Sequence, residues 1–311
     1  MSVLVLYAGS AEQWGPYRPA LTRAFEAEGL DVELVTEVED PATVDYIVHS
    51  PSGPIRDFTP YTGAKAVLSL WAGVEEIVGN ATLTQPLVRM VDAGLTEGMV
   101  EWVTGHVLRH HLGMDDHILN QDGTWRPVAP PLARQRRVAL LGLGALGSAV
   151  GQALAALNFQ VTGWSRSAHE VPGLQCLSGD EGLEATLKGA DFVILLLPLT
   201  PQTIDVMNAR TMALPTRGAV ILNPGRGPLI DDAALLKALE DGQIGHATLD
   251  VFRTEPLPPE HPFWAHPKVT VTPHIASETR PVTAALAIAA NIRRSEDGEP
   301  MMHVVDRARG Y

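Results

Sequence analysis

The stretch Val138-Ala-Leu-Leu-Gly142-Leu-Gly144-Ala-Leu-Gly147 decides the fold, because it runs from a hydrophobic strand through a glycine-rich turn into a helix. Gly142 permits the tight turn, Gly144 lets the backbone approach a pyrophosphate, and Gly147 lets the helix pack close to the strand. The alternative is a glycine-rich turn in an unrelated α/β domain, and a second strand at Gln160–Trp164 argues against it. The stretch predicts a dinucleotide-binding domain with the pyrophosphate at the helix N-terminus.

The residues after the second strand, Trp164-Ser165-Arg166-Ser167, indicate which dinucleotide is bound. A site for NAD places Asp or Glu here to accept from the ribose hydroxyls, and the first acid in this chain is Glu170. An arginine between two hydroxyls suits a 2′-phosphate, because the guanidinium pairs with it and the serines donate hydrogen bonds. The alternative is an exposed loop arginine. We expect NADP, with NADPH preferred over NADH.

Outside this stretch, short apolar runs alternate with helical periodicity on both sides, which is typical of parallel sheets covered by helices. The expected strands are Val3–Tyr7, Val32–Val35, Val44–His49, Ala66–Leu70, Arg137–Leu141, Gln160–Trp164, Asp191–Leu197, Ala219–Leu222, His246–Val251 and Lys268–Thr272. The expected helices are Tyr17–Glu28, Gly98–Leu112, Ala145–Leu157, Asp231–Leu239 and Pro281–Arg294.

The 311 residues are enough for two domains of about 150 residues each. The pattern predicts an α/β protein with two Rossmann-like domains, one flavodoxin-like and one dinucleotide-binding, each built on a parallel sheet. Because the last helix follows the final strand of the second pattern, we expect a discontinuous first domain. It would comprise residues 1–97 and 284–311 and bind substrate, with the dinucleotide-binding domain, residues 98–283, inserted between them.

Composition narrows the possible partners and location. The chain has 36 acidic and 23 basic residues, a formal charge of −13, which argues against binding to nucleic acid or anionic membranes. Its single cysteine, Cys176, excludes an internal disulfide and fits a reducing compartment. No basic region precedes Val3–Tyr7, and no apolar run approaches the length of a membrane span. We expect a soluble cytoplasmic protein without a signal peptide.

Three polar motifs follow other predicted strands: Asn223 to Asp231 with Arg226, Leu249 to Pro256 with Asp250 and Glu255, and Thr272 to Ser277 with His274. Ligands of open α/β sheets bind beyond the carboxyl ends of the strands, so Arg226, Glu255 and His274 are expected to converge. Histidine can protonate the alkoxide formed from a 2-keto acid, a carboxylate can fix its tautomer, and arginine can polarise the keto oxygen.

Each of these residues alone has a structural alternative: a surface-turn arginine, a solvated glutamate and a core histidine. Beside a dinucleotide motif, the three together predict reduction of a 2-keto acid with no metal. The histidines at 106, 110 and 111 follow one predicted helix, where we expect helix packing rather than metal binding because no carboxylate partner is suggested.

Further motifs extend the pattern along the chain: Leu70-Trp-Ala-Gly-Val74, Leu196-Leu-Pro-Leu-Thr200, Thr279-Arg-Pro281 and the tail Val305–Tyr311. With the motifs above, in this order, the chain resembles the D-isomer-specific 2-hydroxyacid dehydrogenases. Within that family it is similar to the short NADPH-dependent glyoxylate/hydroxypyruvate reductases. The resemblance implies reduction of glyoxylate to glycolate and of hydroxypyruvate to D-glycerate.

The resemblance also implies roles for individual residues. Arg226, Glu255 and His274 would be catalytic. The substrate would be held by Arg226, by His274 and by backbone amides around Trp71, Ala72 and Gly73. Asp250 would accept a hydrogen bond from the nicotinamide carboxamide, and Ser277 would lie near the nicotinamide. The remaining expected cofactor contacts are Gly142, Gly144, Ala145, Leu146, Gly147, Ser165, Arg166, Ser167, Leu197 and Pro198.

Two departures from the family pattern concern the nicotinamide contact and the substrate preference. Pro224-Gly225 stands where similar reductases carry a Leu-Ala-like pair, and Val48-His49-Ser50 stands where they place a bulky aromatic near the substrate. Two other functions stay open: a dehydrogenase for a larger 2-hydroxy acid, and a non-catalytic nicotinamide-sensing binding protein.

The polar, proline-rich segment 121–131 carries Trp125, which the core of its own domain does not explain because such segments run over the surface. Tryptophan is enriched where two chains meet. The resemblance implies a dimer in which this segment embraces the partner. We expect a homodimer with Trp125 packed on the other subunit; the alternative is Trp125 folded back on its own surface.

Overall fold

The chain divides into two units in a computed structural model that describes residues 2–308 and 310. Unit 1 comprises Met1–Leu95 and Thr279–Tyr311, and unit 2 comprises Thr96–Glu278. The boundaries expected from the sequence were at residues 97/98 and 283/284. Arg309 and Tyr311 of the tail motif lie outside the described residues.

Unit 1 is built on a parallel sheet of five strands in the order β2-β1-β3-β4-β5. The strands are β1 (Val3–Ala8), β2 (Val32–Val35), β3 (Tyr46–His49), β4 (Ala66–Ser69) and β5 (Leu87–Val88). Helix α1 (Ala11–Ala27) packs against the C-terminal helix α7 (Pro281–Glu296), which explains why the last helix belongs to this unit.

Unit 2 is built on a parallel sheet of seven strands in the order β12-β11-β10-β9-β6-β7-β8. The strands are β6 (Arg137–Leu141), β7 (Gln160–Ser165), β8 (Gln175–Ser178), β9 (Phe192–Leu195), β10 (Ala219–Asn223), β11 (Ile244–Leu249) and β12 (Val269–Val271). The helices are α3 (Met114–Leu119), α4 (Ala145–Ala156), α5 (Gly179–Leu187) and α6 (Asp232–Glu240); α2 (Ala93–His111) spans the boundary with unit 1. The predicted α/β class with two parallel sheets is confirmed.

The inner strands β6, β9 and β10 of the second sheet are buried on both faces. Leu140, Ile194 and Leu222 belong to one hydrophobic cluster, while Leu141 and Leu195 belong to a second cluster. Burial on both faces is typical of parallel sheets in α/β proteins, and it leaves the strand ends as the accessible part of the sheet. Because all seven strands run in the same direction, their carboxyl ends meet at one edge.

Some elements differ from the sequence expectation. Helix α1 begins at Ala11 rather than Tyr17, because the Ser10 side chain caps the helix by accepting from the Gln13 amide. Two prolines inside the helix, Pro16 and Pro19, concealed this early start. Elements β5, β8, α3 and α5 were missed: β5 has two residues, β8 is a half-exposed edge strand carrying Cys176, and α3 has no buried residue. No helix within the described residues has the length and apolar character needed to cross a membrane.

Candidate active site

The glycine turn after β6 has the backbone shape that the sequence predicted. Gly142 has φ 112°, and a Cβ there would lie 2.3 Å from the Leu196 carbonyl oxygen. A Cβ on Gly147 would lie 1.9 Å from the carbonyl oxygen of Gly142, so the helix start packs directly on the turn. At Gly144, by contrast, a Cβ would meet no atom within 4 Å, and no side chain caps helix α4. Open space beside an uncapped helix N-terminus fits a pyrophosphate.

The other residues expected to contact a cofactor lie at the same edge of the sheet. The Gly142 amide donates to the Trp164 carbonyl at 2.8 Å, which places the end of β7 beside the glycine turn. After it, Ser165 Oγ donates to the Ser167 carbonyl at 2.7 Å, while Arg166 is exposed. Leu197 and Pro198 follow β9, whose Leu196 amide donates to the carbonyl of Leu141 at 2.7 Å.

His274 and Glu255 form a direct pair. Nδ1 of His274 lies 2.7 Å from Oε2 of Glu255, and the two side chains are 54% and 35% exposed. The second carboxylate oxygen of Glu255 accepts from the Phe252 amide at 2.8 Å, which fixes the carboxylate on its own loop. The peptide bond between Glu255 and Pro256 is cis. The pair leaves Nε2 of His274 as the ring nitrogen not engaged by Glu255.

Arg226 lies on a turn that packs against the Glu255 loop. The Asn223 side chain shapes the turn, donating to the Arg226 carbonyl at 2.9 Å and accepting from the Gly225 amide at 3.1 Å. A Cβ on Gly227 would lie 1.9 Å from the carbonyl carbon of Phe252, so the backbones of the two loops are in contact. The loops that carry Arg226, Glu255 and His274 are therefore neighbours in unit 2.

Asp250 lies immediately after β11 and is 1% exposed. Its carboxylate accepts hydrogen bonds from Thr272 and from backbone amides after His274. Asn223 and Thr272 also shape this site, although the sequence predicted no role for either. Both are short polar side chains at the ends of strands, a position from which they can satisfy backbone groups of the following turn.

The loop Trp71-Ala72-Gly73 follows β4 in unit 1. The Trp71 amide donates to Ser69 Oγ at 3.1 Å, and Trp71 is 40% exposed. Within residues 2–308 and 310, no protein group accepts a hydrogen bond from the backbone amide of Ala72 or of Gly73. These two amides are therefore the ones best able to hold an anion.

His49, the last residue of β3, adjoins this loop, since the Leu70 amide donates to the His49 carbonyl at 2.8 Å. The side chain is 2% exposed, and its Nε2 lies 3.3 Å from the Ile55 carbonyl oxygen. Burial lowers the pKa of His49, because the charged form of the ring loses its hydration. The stretch Val48-His49-Ser50, which departs from the family pattern, thus contains a buried imidazole.

His110 of α2 packs on strand β11 of unit 2. Nε2 of His110 lies 2.9 Å from Thr248 Oγ1, and the rings of His110 and His246 are 4.6 Å apart. Burial is the main cause that lowers the pKa of His110 to about 3 and that of His246 to about 4. In the described part of the chain, no group of three His, Cys, Asp or Glu side chains is arranged to hold a metal ion.

Residues 112–132, here called the arm, present apolar side chains to solvent. Trp125 is 91% exposed, which contradicts the alternative in which it folds back on its own surface. Leu119, Val128 and Ile118 of the arm are 80%, 74% and 65% exposed. An exposed apolar stretch of this kind is typical of a protein–protein interface.

Comparison with known proteins identifies the family. The family model of the D-isomer specific 2-hydroxyacid dehydrogenase, NAD binding domain, matches residues 104–276 of this chain. Over 255 residues the chain is 42% identical to the glyoxylate/hydroxypyruvate reductase A of Serratia proteamaculans, an alignment that covers 79% of this chain and 82% of that protein. The chain belongs to the D-isomer-specific 2-hydroxyacid dehydrogenase family, and the resemblance found in its motifs is confirmed.

Solved structures agree with this assignment. A D-isomer specific 2-hydroxyacid dehydrogenase from Xanthobacter autotrophicus, in complex with NADPH and MES, superposes with a TM-score of 0.91 at 39% identity, covering 100% of both chains. An NADPH-dependent glyoxylate/hydroxypyruvate reductase from Sinorhizobium meliloti, in complex with NADP and sulfate, gives a TM-score of 0.87 at 35% identity, also covering 100% of both chains.

Proposed function

We propose that the protein is an NADPH-dependent reductase of small 2-keto acids, converting glyoxylate to glycolate and hydroxypyruvate to D-glycerate. The observation that carries the proposal is the pair of His274 Nδ1 and Glu255 Oε2 at 2.7 Å, on a loop next to that of Arg226. The glyoxylate/hydroxypyruvate reductases among its relatives support the choice of substrate.

The glycine turn and the end of β7 would hold the cofactor. The open space at Gly144 admits a pyrophosphate, and the amides at the start of α4 donate to it. Exposed Arg166 would pair with the 2′-phosphate that distinguishes NADPH from NADH, assisted by Ser165 and Ser167. The NADPH and NADP in the two related structures support this choice of cofactor.

When bound, the reduced nicotinamide supplies the hydride that reduces the keto carbon. His274 gives a proton from Nε2 to the oxygen of the same carbon, while Nδ1–H remains donated to Glu255. The Glu255 carboxylate accepts from Nδ1 and holds the ring in one orientation, with Nε2 left for the proton transfer. Arg226 orients the substrate and polarises the keto oxygen, so the developing charge meets a fixed cation.

We assign substrate binding to unit 1 and dinucleotide binding to unit 2. In unit 1, the amides of Ala72 and Gly73 would hold the substrate carboxylate, since neither donates to a protein acceptor in the described residues. We also propose a cytoplasmic location. It fits the single, half-buried cysteine, Cys176, because a chain with one cysteine forms no internal disulfide.

We further propose that the protein is a homodimer joined through the arm. The exposed Trp125, Leu119 and Val128 give the arm an apolar surface that a second copy of the chain would cover. The family resemblance, which implies a dimer in which this segment embraces the partner, supports this arrangement.

An absorbance assay of NADPH oxidation with a panel of keto acids tests the proposed activity. We expect the highest kcat/KM with glyoxylate and hydroxypyruvate. Higher kcat/KM with phenylpyruvate or 2-ketoisocaproate would instead identify a dehydrogenase of larger 2-hydroxy acids. Binding of NADPH without turnover of any keto acid would favour a nicotinamide-sensing protein.

A further inference from the structure

The loop after β12 is held by hydrogen bonds that the proposed reaction does not use. Asp250 accepts with both carboxylate oxygens although it is 1% exposed. Its Oδ1 accepts from Thr272 Oγ1 at 2.5 Å and from the Ile275 amide at 2.9 Å. Its Oδ2 accepts from the Ala276 amide at 2.9 Å. These three donors flank His274 on both sides.

The backbone of His274 explains why such support is needed. Its φ is 55°, in the left-handed region that side chains other than glycine rarely adopt. Its amide donates to the Asp250 carbonyl at 2.8 Å and to the Thr272 carbonyl at 3.1 Å. A strained conformation persists only where the surrounding structure over-determines it, and here Asp250 supplies both main-chain and side-chain contacts.

We propose that Asp250 and Thr272 are positioning residues for His274. The Thr272 hydroxyl orients the Asp250 carboxylate, and the carboxylate holds the loop so that the imidazole meets Glu255. This inference rests on the proposed function, because it assigns the proton transfer to His274. It is separate from the contact with the nicotinamide carboxamide that the family resemblance implies for Asp250, since these hydrogen bonds are made within the chain.

The hydroxyl of Thr272 is the part of this arrangement that can be removed most cleanly. Valine keeps the shape of threonine but cannot donate, so Asp250 Oδ1 would lose the shorter of its two hydrogen bonds. A hydrogen bond to a charged, buried acceptor is among the strong ones, and its loss would loosen the carboxylate that holds the loop. Serine restores the donor and serves as the conservative variant.

The kinetic experiment compares Thr272→Val, Thr272→Ser and Thr270→Val. We expect Thr272→Val to lower kcat by about tenfold or more, with KM for glyoxylate and the affinity for NADPH changed by less than about twofold. Thr272→Ser should restore kcat. Thr270→Val is the matched control: it makes the same change two residues earlier, where Oγ1 contacts His246 and Arg109 instead of Asp250, and it should leave kcat unchanged.

A second readout needs neither cofactor nor turnover. Amide hydrogen exchange of Ile275 and Ala276 in the cofactor-free protein should be faster in Thr272→Val than in wild type, and slow again in Thr272→Ser. If Thr272→Val does not fold, Asp250→Asn is measured instead. It keeps the volume of the side chain but weakens its acceptance from these amides, so the same increase in exchange is expected.

Two results would overturn the inference. One is unchanged exchange at both amides together with a wild-type kcat in Thr272→Val. The other is an equal loss of kcat when Thr272→Val is added to wild type and to His274→Ala, because a residue that acts through His274 has no further effect once the imidazole is gone. A wild type without keto-acid turnover would contradict the proposed function, whereas the exchange experiment would still decide the positioning role.

Discussion

His274 combines a left-handed backbone with a side chain held at one ring nitrogen, at 2.7 Å from Glu255. The sequence predicted which residues form this site, because Arg226, Glu255 and His274 each follow a strand and the ends of parallel strands lie at one edge of the sheet. It could not predict that Nδ1 rather than Nε2 meets Glu255, or that Asp250 binds the loop on both sides of His274. Those contacts depend on the register of neighbouring strands, which sets where each loop begins. No local sequence pattern encodes that register.

Arg166 carries the prediction of cofactor preference. We expect Arg166→Ala to weaken NADPH binding by about 10- to 100-fold, because a 2′-phosphate loses a charge-assisted partner worth about 1.5–3 kcal/mol. Binding of NADH should change little, and Arg166→Lys should retain part of the preference. Isothermal titration with both cofactors measures the effect. Equal losses for NADPH and NADH would show that Arg166 does not bind the phosphate.

At the scale of elements, the strands with long apolar runs, such as β6 and β9, were predicted close to their observed bounds. The edge strand β8 and helix α5 were missed, because a half-exposed element carries little apolar periodicity of its own. The sequence also could not predict contacts between elements. One example is the close approach of Gly227 to the Phe252 carbonyl, which joins two loops that follow different strands.

That contact predicts a large effect of a small change. Gly227→Ala would place a methyl group 1.9 Å from the carbonyl carbon of Phe252, so one loop must move. We expect a loss of about 1–3 kcal/mol in the free energy of unfolding, measured by urea denaturation, together with a lower kcat. Gly105→Ala, in α2 with no atom within 4 Å of the new Cβ, is the control. It should be neutral or slightly stabilising. Equal stability of the two variants would contradict the account of the turn.

The packing of α2 on the sheet predicts a pH dependence of stability. The folded-state pKa values of His110 and His246, about 3 and about 4, lie below the ordinary value of 6.5. The unfolded chain therefore binds protons more readily, and stability should fall as pH decreases from about 6.5 towards 4. Urea unfolding of wild type and of His110→Gln at a series of pH values measures this. The variant should lose less stability over that interval, and an equal loss would show that His110 does not contribute.

At the scale of the whole molecule, the arm is the feature that a single chain leaves unexplained, since Trp125 is 91% exposed. We expect the wild type to sediment as a dimer at micromolar concentration. Trp125→Ala should dissociate into monomers at a higher protein concentration than the wild type does, because tryptophan contributes strongly at the centre of interfaces. The exposed Trp264, 51% exposed and outside the arm, offers a control in Trp264→Ala, which should sediment as wild type does. A monomeric wild type would contradict the proposed dimer.

The proposed reaction is the reduction of small keto acids with proton transfer from His274. The most direct test is the initial rate of NADPH oxidation with glyoxylate, measured for wild type and His274→Ala together with the affinity of each for NADPH. We predict clear turnover by wild type, a kcat lower by about 10²–10⁴-fold in His274→Ala, and nearly equal NADPH affinities. A variant as active as wild type, or a wild type that binds NADPH and reduces no keto acid, would contradict the account.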